Sequence, residues 1–97
     1  MYKPTQEEIA KLKAEHGEIF MLTVEDKACI MKTPSRKTLS YASVAGEKDP
    51  LKFNEVMLKQ CFVVGDPEIR DDDKYFLGAS TQMKDLIQVK ESKLEKL

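Results

Sequence analysis

The stretch that decides the fold runs from Asp49 to Ile87 and reads DPLKFNEVMLKQCFVVGDPEIRDDDKYFLGASTQMKDLI. Asp49 is a good N-cap and Pro50 suits the first helical position, so a helix is predicted to begin here. Its apolar stripe is broad and comprises Leu51, Val56, Met57, Leu58, Cys61 and Phe62. Gly65-Asp66-Pro67 then breaks the pattern. The stretch therefore predicts an amphipathic helix, a break and a second helical segment.

The second helical segment opens on three aspartates, Asp71 to Asp73, which are typical helix caps. A short apolar turn around Tyr75 and Phe76 follows, and Gly78 weakens the helix there. A closing amphipathic helix is predicted over residues 82–97, with apolar residues near helical spacing at Met83, Leu86, Ile87, Leu94 and Leu97. Residues 90–97 are highly charged and are expected to fray.

Two apolar runs before this stretch predict a β-hairpin over residues 18–32, EIFMLTVEDKACIMK, with Glu25-Asp26 as the turn. Both predicted strands carry apolar residues on both faces. Because a lone two-stranded hairpin is marginal in water, either helices cover both faces or one face is an interface. The sequence leaves these two possibilities open.

Two shorter helices complete the prediction. Thr5 and Glu8 form a capping-box pattern that starts an N-terminal helix ending at Gly17. The apolar face of this helix is thin, so we expect weak docking or contacts completed in an assembly. A further helix follows the hairpin, with Pro34 expected at its first position and Ser35 as a competing cap.

The predicted fold is α+β: one small domain over residues 1–97, with one β-hairpin packed with about four helices. The parts are an N-terminal helix over 1–17, the hairpin over 18–32 and a helical part over 33–97. The formal net charge is -1, from 16 basic and 17 acidic residues, which gives no general attraction to nucleic acid or an anionic membrane. With no apolar run of roughly 20 residues and no signal-peptide pattern, we expect a cytoplasmic protein without membrane contact.

Nothing in the sequence predicts catalysis, a cofactor or a metal site. His16 is the only histidine, and we interpret it as a solvated or C-capping residue. The aspartates at 71–73 lack the spacing of a calcium loop, so helix capping is favoured. Cys29 and Cys61 are interpreted as reduced core residues. Core packing is also the favoured role of Met21, Met31, Met57 and Met83, with an adaptable binding surface as the alternative.

The order of elements resembles that of the small phage and prophage tail assembly chaperones, over roughly Ile19 to Leu94. The resemblance lies in a short helix, an apolar hairpin followed by KTPSRKT, and a helix LKFNEVMLKQCFV. It continues with the Asp66-Pro67 break, the acidic aromatic turn DDDKYF and a closing amphipathic helix. It implies a non-enzymatic chaperone that coats a helical tape measure protein, helps to recruit tail tube subunits and self-associates.

A client of this kind would bind by helix-in-groove recognition. The predicted client-binding residues are Phe20, Leu22, Met31, Met57 and Phe62. One alternative is a small structural or adaptor protein that self-associates through the hairpin. Another is a weak nucleic-acid-binding regulator that uses Lys32, Arg36 and Lys37, although the overall charge disfavours nucleic acid.

Overall fold

The structure is a computed structural model that describes residues 1–97. It contains five α-helices and a three-stranded antiparallel sheet in the order β1-β2-β3, which confirms the predicted α+β class. The elements in chain order are α1 (Gln6–His16), β1 (Ile19–Val24), β2 (Lys27–Lys32), α2 (Arg36–Ala45), α3 (Pro50–Cys61), β3 (Phe62–Gly65), α4 (Glu68–Asp71), α5 (Asp73–Ser80) and a 3-10 helix (Met83–Leu86). No helix combines the length and the apolar character that crossing a membrane requires.

Side-chain caps fix where two of the helices begin, as the sequence predicts. The Thr5 hydroxyl accepts the backbone N–H of Glu8 at 3.2 Å and starts α1. The Asp49 carboxylate accepts the backbone N–H of Leu51 at 3.2 Å and starts α3. Each cap satisfies one of the N–H groups that a helix start leaves without an internal partner.

The start of α2 differs from the prediction. The Ser35 hydroxyl accepts the backbone N–H of Thr38 at 3.1 Å, so Ser35 is the N-cap and the helix begins at Arg36. Pro34 therefore lies outside α2, and its predicted place at the first helical position is wrong. The Ser35 hydroxyl thereby satisfies an N–H group that has no partner within the first turn of the helix.

The hydrophobic core lies between one face of the sheet and helices α2 to α5. Its members are Leu22, Cys29, Met31, Ala42, Met57, Leu58, Cys61, Ile69, Ala79, Met83 and Leu86. Both thiols are free and buried, which confirms the prediction of reduced core cysteines. Three of the four methionines predicted at apolar positions are core residues, but the side chain of Met21 is 47% exposed.

The sequence does not predict strand β3, because Phe62 continues the apolar stripe of the preceding helix and the pattern over residues 33–97 indicates helices. In the structure α3 ends at Cys61, and Ile30 of β2 pairs with Val64 of β3. The register shifts next to this pair, leaving Val63 as a bulge. A four-residue apolar run is too short for periodicity to distinguish a strand from a helix.

The predicted closing helix is wrong, although the lack of regular structure over residues 90–97 agrees with the fraying expected there. Only Met83–Leu86 forms a 3-10 helix, and residues 87–97 have no regular secondary structure. Leu94 and Leu97 are fully exposed, so no apolar surface of the domain supports a helix there. An isolated helical segment of this length is marginal in water without such support.

Candidate functional site

The candidate site is an apolar cleft of about 310 Å³ between β1 and the 3-10 helix. Six of its nine lining residues are apolar, a larger fraction of residues than in the other four main cavities. The lining consists of Phe20, Met21, Leu22, Thr23, Met31, Gln82, Met83, Asp85 and Leu86. We call this the apolar cleft. Its few polar groups lie at exposed positions, so it is suited to apolar side chains rather than to a charged ligand.

The local structure explains why these side chains meet. In the β1–β2 register Phe20 lies opposite Met31, and side chains two residues apart on a strand share a face. Phe20 and Leu22 therefore extend over the same side of the sheet. On the other wall, Met83 and Leu86 are three residues apart, a spacing that aligns side chains along a 3-10 helix.

The structure brings together three of the five residues predicted to bind a client. Phe20, Leu22 and Met31 line the apolar cleft, where the half-buried Phe20 is the most accessible and Leu22 and Met31, at 8% and 0% exposure, form its floor as core residues. Met57 is fully buried in the core instead. Phe62 lies under Arg70, whose guanidinium carbon is 4.5 Å from the centre of the ring. The 3-10 helix lies across the cleft from β1 and forms its other wall. No local sequence pattern predicts that these two segments lie side by side.

A second set of contacts holds the sheet around Asp66. Its carboxylate accepts the backbone N–H groups of Tyr2 and Ala28, each at 2.9 Å. These two hydrogen bonds to the charged form lower the pKa of Asp66 below its ordinary value. The Gly-Asp-Pro sequence, predicted only as a break, therefore also joins the N-terminal segment, β2 and the end of β3.

The turn of the hairpin is tied to the helical part by two side-chain pairs. The Tyr75 hydroxyl on α5 donates a hydrogen bond to the Asp26 carboxylate, which raises the pKa of Tyr75 to about 12 and lowers that of Asp26. The Lys27 ammonium lies 3.4 Å from the Glu68 carboxylate, and this contact raises the pKa of Lys27. Both contacts join the hairpin turn to helices α4 and α5, although each is solvent-exposed and weak on its own.

The largest cavity, about 650 Å³, is a polar cleft at the start of α2. Lys32 and Lys37 of the predicted basic patch line it, together with the exposed ring of Tyr41. Arg36 does not line it. The hydroxyl of Ser35 in this cleft is already used as the helix cap. The cleft thus combines two lysines with one aromatic ring.

The remaining candidate groups have local structural roles. Asp72 caps α5, because its carboxylate accepts the N–H groups of Lys74 and Tyr75 at 3.0 Å and 3.4 Å, as predicted for the aspartate cluster. His16 is the last residue of α1, and its ring lies 3.7 Å from the Glu15 carboxylate. No group of three or more histidine, cysteine, aspartate or glutamate side chains is placed to share a metal ion.

Comparison of the chain with protein-family models, with curated proteins and with solved structures finds no match. The features that can indicate a function are therefore the apolar cleft, the strand beside it and the distribution of charge.

Proposed function

We propose that this chain is a non-enzymatic assembly chaperone of the phage tail type, which binds an amphipathic tape-measure-like helix in the apolar cleft. The observation that carries the proposal is the convergence of Phe20, Leu22 and Met31 on that cleft. Tail tube subunits are a further expected partner, and the cytoplasm is the expected location.

The chemistry of the cleft supports a helical protein client. An amphipathic helix offers apolar side chains three and four residues apart, which can enter a groove while the polar face stays in water. Met31 and Met83 lie buried at the floor of this groove and Met21 is exposed at its edge, and methionine adapts to side chains of different shapes. An adaptable groove suits a chaperone, which must hold many successive segments of one long helix.

The charge of the chain is compatible with this role. A net charge of -1 brings no strong attraction to polyanions. The exposed Asp85 at the rim of the cleft offers a contact for a basic residue of the client, and Gln82 offers a neutral one. We expect such rim contacts to select the orientation of the client more than its affinity.

The nucleic-acid alternative keeps one supporting feature, the polar cleft with Lys32, Lys37 and Tyr41. Two lysines neutralise few phosphates, so binding to DNA would be weak and would fall steeply as salt increases. Binding of duplex or single-stranded DNA that Lys32→Gln and Lys37→Gln both weaken would favour this alternative over the chaperone.

Co-expression with a tape measure protein of a long-tailed phage tests the proposal. We expect this chain to increase the soluble fraction of the tape measure protein. Gln82→Lys places charge and bulk at the mouth of the apolar cleft on an exposed residue, so it should reduce binding at least tenfold without unfolding the domain.

The matched control is Gln60→Lys, which makes the same change at an exposed residue of the polar cleft. Equal solubility of the tape measure protein with and without the chain would contradict the proposed function. Equal effects of the two lysine variants would contradict the assignment of the cleft.

A further inference from the structure

The outer edge of β1 has no strand beside it. β1 contains six residues, Ile19–Val24, and is an edge strand of the sheet. Thr23 of β1 pairs with Ala28 of β2, and the N–H and C=O of Ala28 both bond to Asp66 on the β3 side. Because the direction of backbone groups alternates along an antiparallel strand, Thr23 points its own N–H and C=O away from β2.

The same alternation applies two and four residues earlier, at Met21 and Ile19. Three residues of β1 therefore direct their backbone N–H and C=O groups outward. No hydrogen bond from a loop, a helix or a side chain reaches them. The edge thus offers six unpaired backbone groups in a regular row.

β1 also lacks the features that usually prevent an edge from pairing. Its sequence, IFMLTV, contains no charge, proline, glycine or bulge. The opposite edge strand, β3, has only four residues and carries a bulge at Val63. The contrast within one sheet marks the β1 edge as the surface available to another strand.

We propose that the β1 edge pairs antiparallel with the β1 edge of a second copy, forming a continuous six-stranded sheet around a two-fold axis at Met21. This register is the symmetric one that uses all three outward-pointing residues. It places Ile19 opposite Thr23 of the second copy and Met21 opposite its own counterpart. The inference does not depend on the proposed client.

The side chains match in this register. On the face that carries the apolar cleft, Phe20 lies opposite Leu22 of the second copy, an aromatic–aliphatic cross-strand pair. Phe20 and Leu22 of the second copy then approach the wall formed by Met83 and Leu86 of the first copy. The two apolar clefts become neighbours, and the second copy covers the β1 side of each, so the second copy and the proposed client would compete for this surface.

The charges are also compatible with this register. No two like charges lie directly opposite each other, because Glu18 faces Val24 of the second copy. The acidic turn of one copy approaches Gly17 of the other, next to the end of α1, where Lys13 and His16 are the basic residues. Glu15 and Glu18 flank the same point, so acidic and basic residues are mixed at both ends of the paired strands and charge does not oppose this register.

Cysteine cross-linking tests the register directly. Paired residues at the two-fold axis have Cα atoms about 5.5 Å apart, within disulfide range. Met21→Cys should therefore form a covalent dimer under mild oxidation. Thr23→Cys is the matched control on the same edge, because the two introduced thiols would be four residues, about 13 Å, apart. The native thiols are buried, so they do not interfere.

Sedimentation of the chain without its client provides the second measurement. We expect a dimer fraction that grows with concentration, and Met21→Lys should abolish it by placing two ammonium groups at the axis. Val44→Lys, at an exposed apolar residue of α2, should leave the dimer intact. A monomer up to the highest soluble concentration, or equal cross-linking of the two cysteine variants, would overturn the inference.

Discussion

The backbone of Ala28 is joined to the side chain and the backbone of Asp66 by two reciprocal hydrogen bonds. The N–H of Ala28 donates to the carboxylate of Asp66 at 2.9 Å, and the N–H of Asp66 donates to the carbonyl of Ala28 at 2.9 Å. This pair closes the end of the β2–β3 ladder, and α4 begins two residues later at Glu68. Because both backbone groups of Ala28 point toward Asp66, its partner Thr23 on β1 points its own N–H and C=O away from β2.

The first prediction concerns the pH dependence of this pair. The pKa of Asp66 is lowered in the folded state by its two backbone hydrogen bonds. Its contribution to the free energy of unfolding is therefore complete above the unfolded-state pKa of about 4, and it is lost as the pH falls through the lower folded-state pKa. Asp66→Asn should lower the unfolding temperature at pH 7 and change it little in strong acid.

Thermal unfolding of both chains across the acid range measures this difference. Glu91→Gln is the control, because this glutamate lies in the exposed C-terminal segment without regular structure. A difference between Asp66→Asn and the parent chain that stays constant from neutral to strongly acid pH would show that the charge of Asp66 is not what stabilises the fold.

The second prediction concerns the glycine before Asp66. Gly65 has a φ of 142°, and a Cβ added there would lie 2.4 Å from the Cα of Cys29 and 2.7 Å from the carbonyl oxygen of Ala28. Both are backbone atoms of β2, so they cannot move aside without distorting the sheet. Gly65→Ala should therefore reduce the free energy of unfolding by about 3 kcal/mol.

Gly17→Ala separates the clash from the backbone strain. Gly17 also has a positive φ, of 78°, but an added Cβ meets nothing within 4 Å. We expect a smaller loss there, about 1 to 2 kcal/mol, from the strained backbone conformation alone. Chemical denaturation of both variants gives the comparison, and similar losses would contradict the close approach of Gly65 to β2.

The third prediction concerns the hairpin turn. Glu25 has a φ of 52° and is the only residue other than glycine with a positive φ. A two-residue turn with a positive φ at its first position alone has the pattern of type II′, which favours glycine there. Glu25→Gly should therefore stabilise the chain by about 1 kcal/mol.

Asp26→Gly is the contrasting change in the same turn. It removes the carboxylate that accepts the hydrogen bond of Tyr75, at a position that has no positive φ to relieve. Its unfolding temperature should fall while that of Glu25→Gly rises. If both substitutions shifted the unfolding temperature in the same direction, the backbone argument for the turn would fail.

The sequence predicted those parts of the fold that depend on local chemistry. The caps Thr5, Asp49 and Asp72 act on N–H groups two or three residues away, so the local sequence is enough to predict them. The hairpin follows from two apolar runs around a short turn. The start of α2 was misplaced because Pro34 and Ser35 offered two local solutions whose difference is small.

The parts that were missed depend on contacts distant in sequence. β3 is a strand because β2 is available to pair with Val64, and nothing local distinguishes Phe62–Gly65 from a helix end. The predicted closing helix lacked a surface on which to pack, which no pattern within residues 82–97 records. For the candidate site, three of the five predicted residues converge because they share a strand register, and the wall formed by Met83 was not predicted as part of it.

Nuclear magnetic resonance titration with a synthetic amphipathic helix from a tape measure protein tests the central claim most directly. If the apolar cleft binds the client, the amide shifts should concentrate at Phe20 to Thr23 and at Gln82 to Leu86, with smaller changes elsewhere. Shifts that centre instead on Lys32, Lys37 and Tyr41, or no shifts at saturating peptide, would contradict the proposed client-binding site.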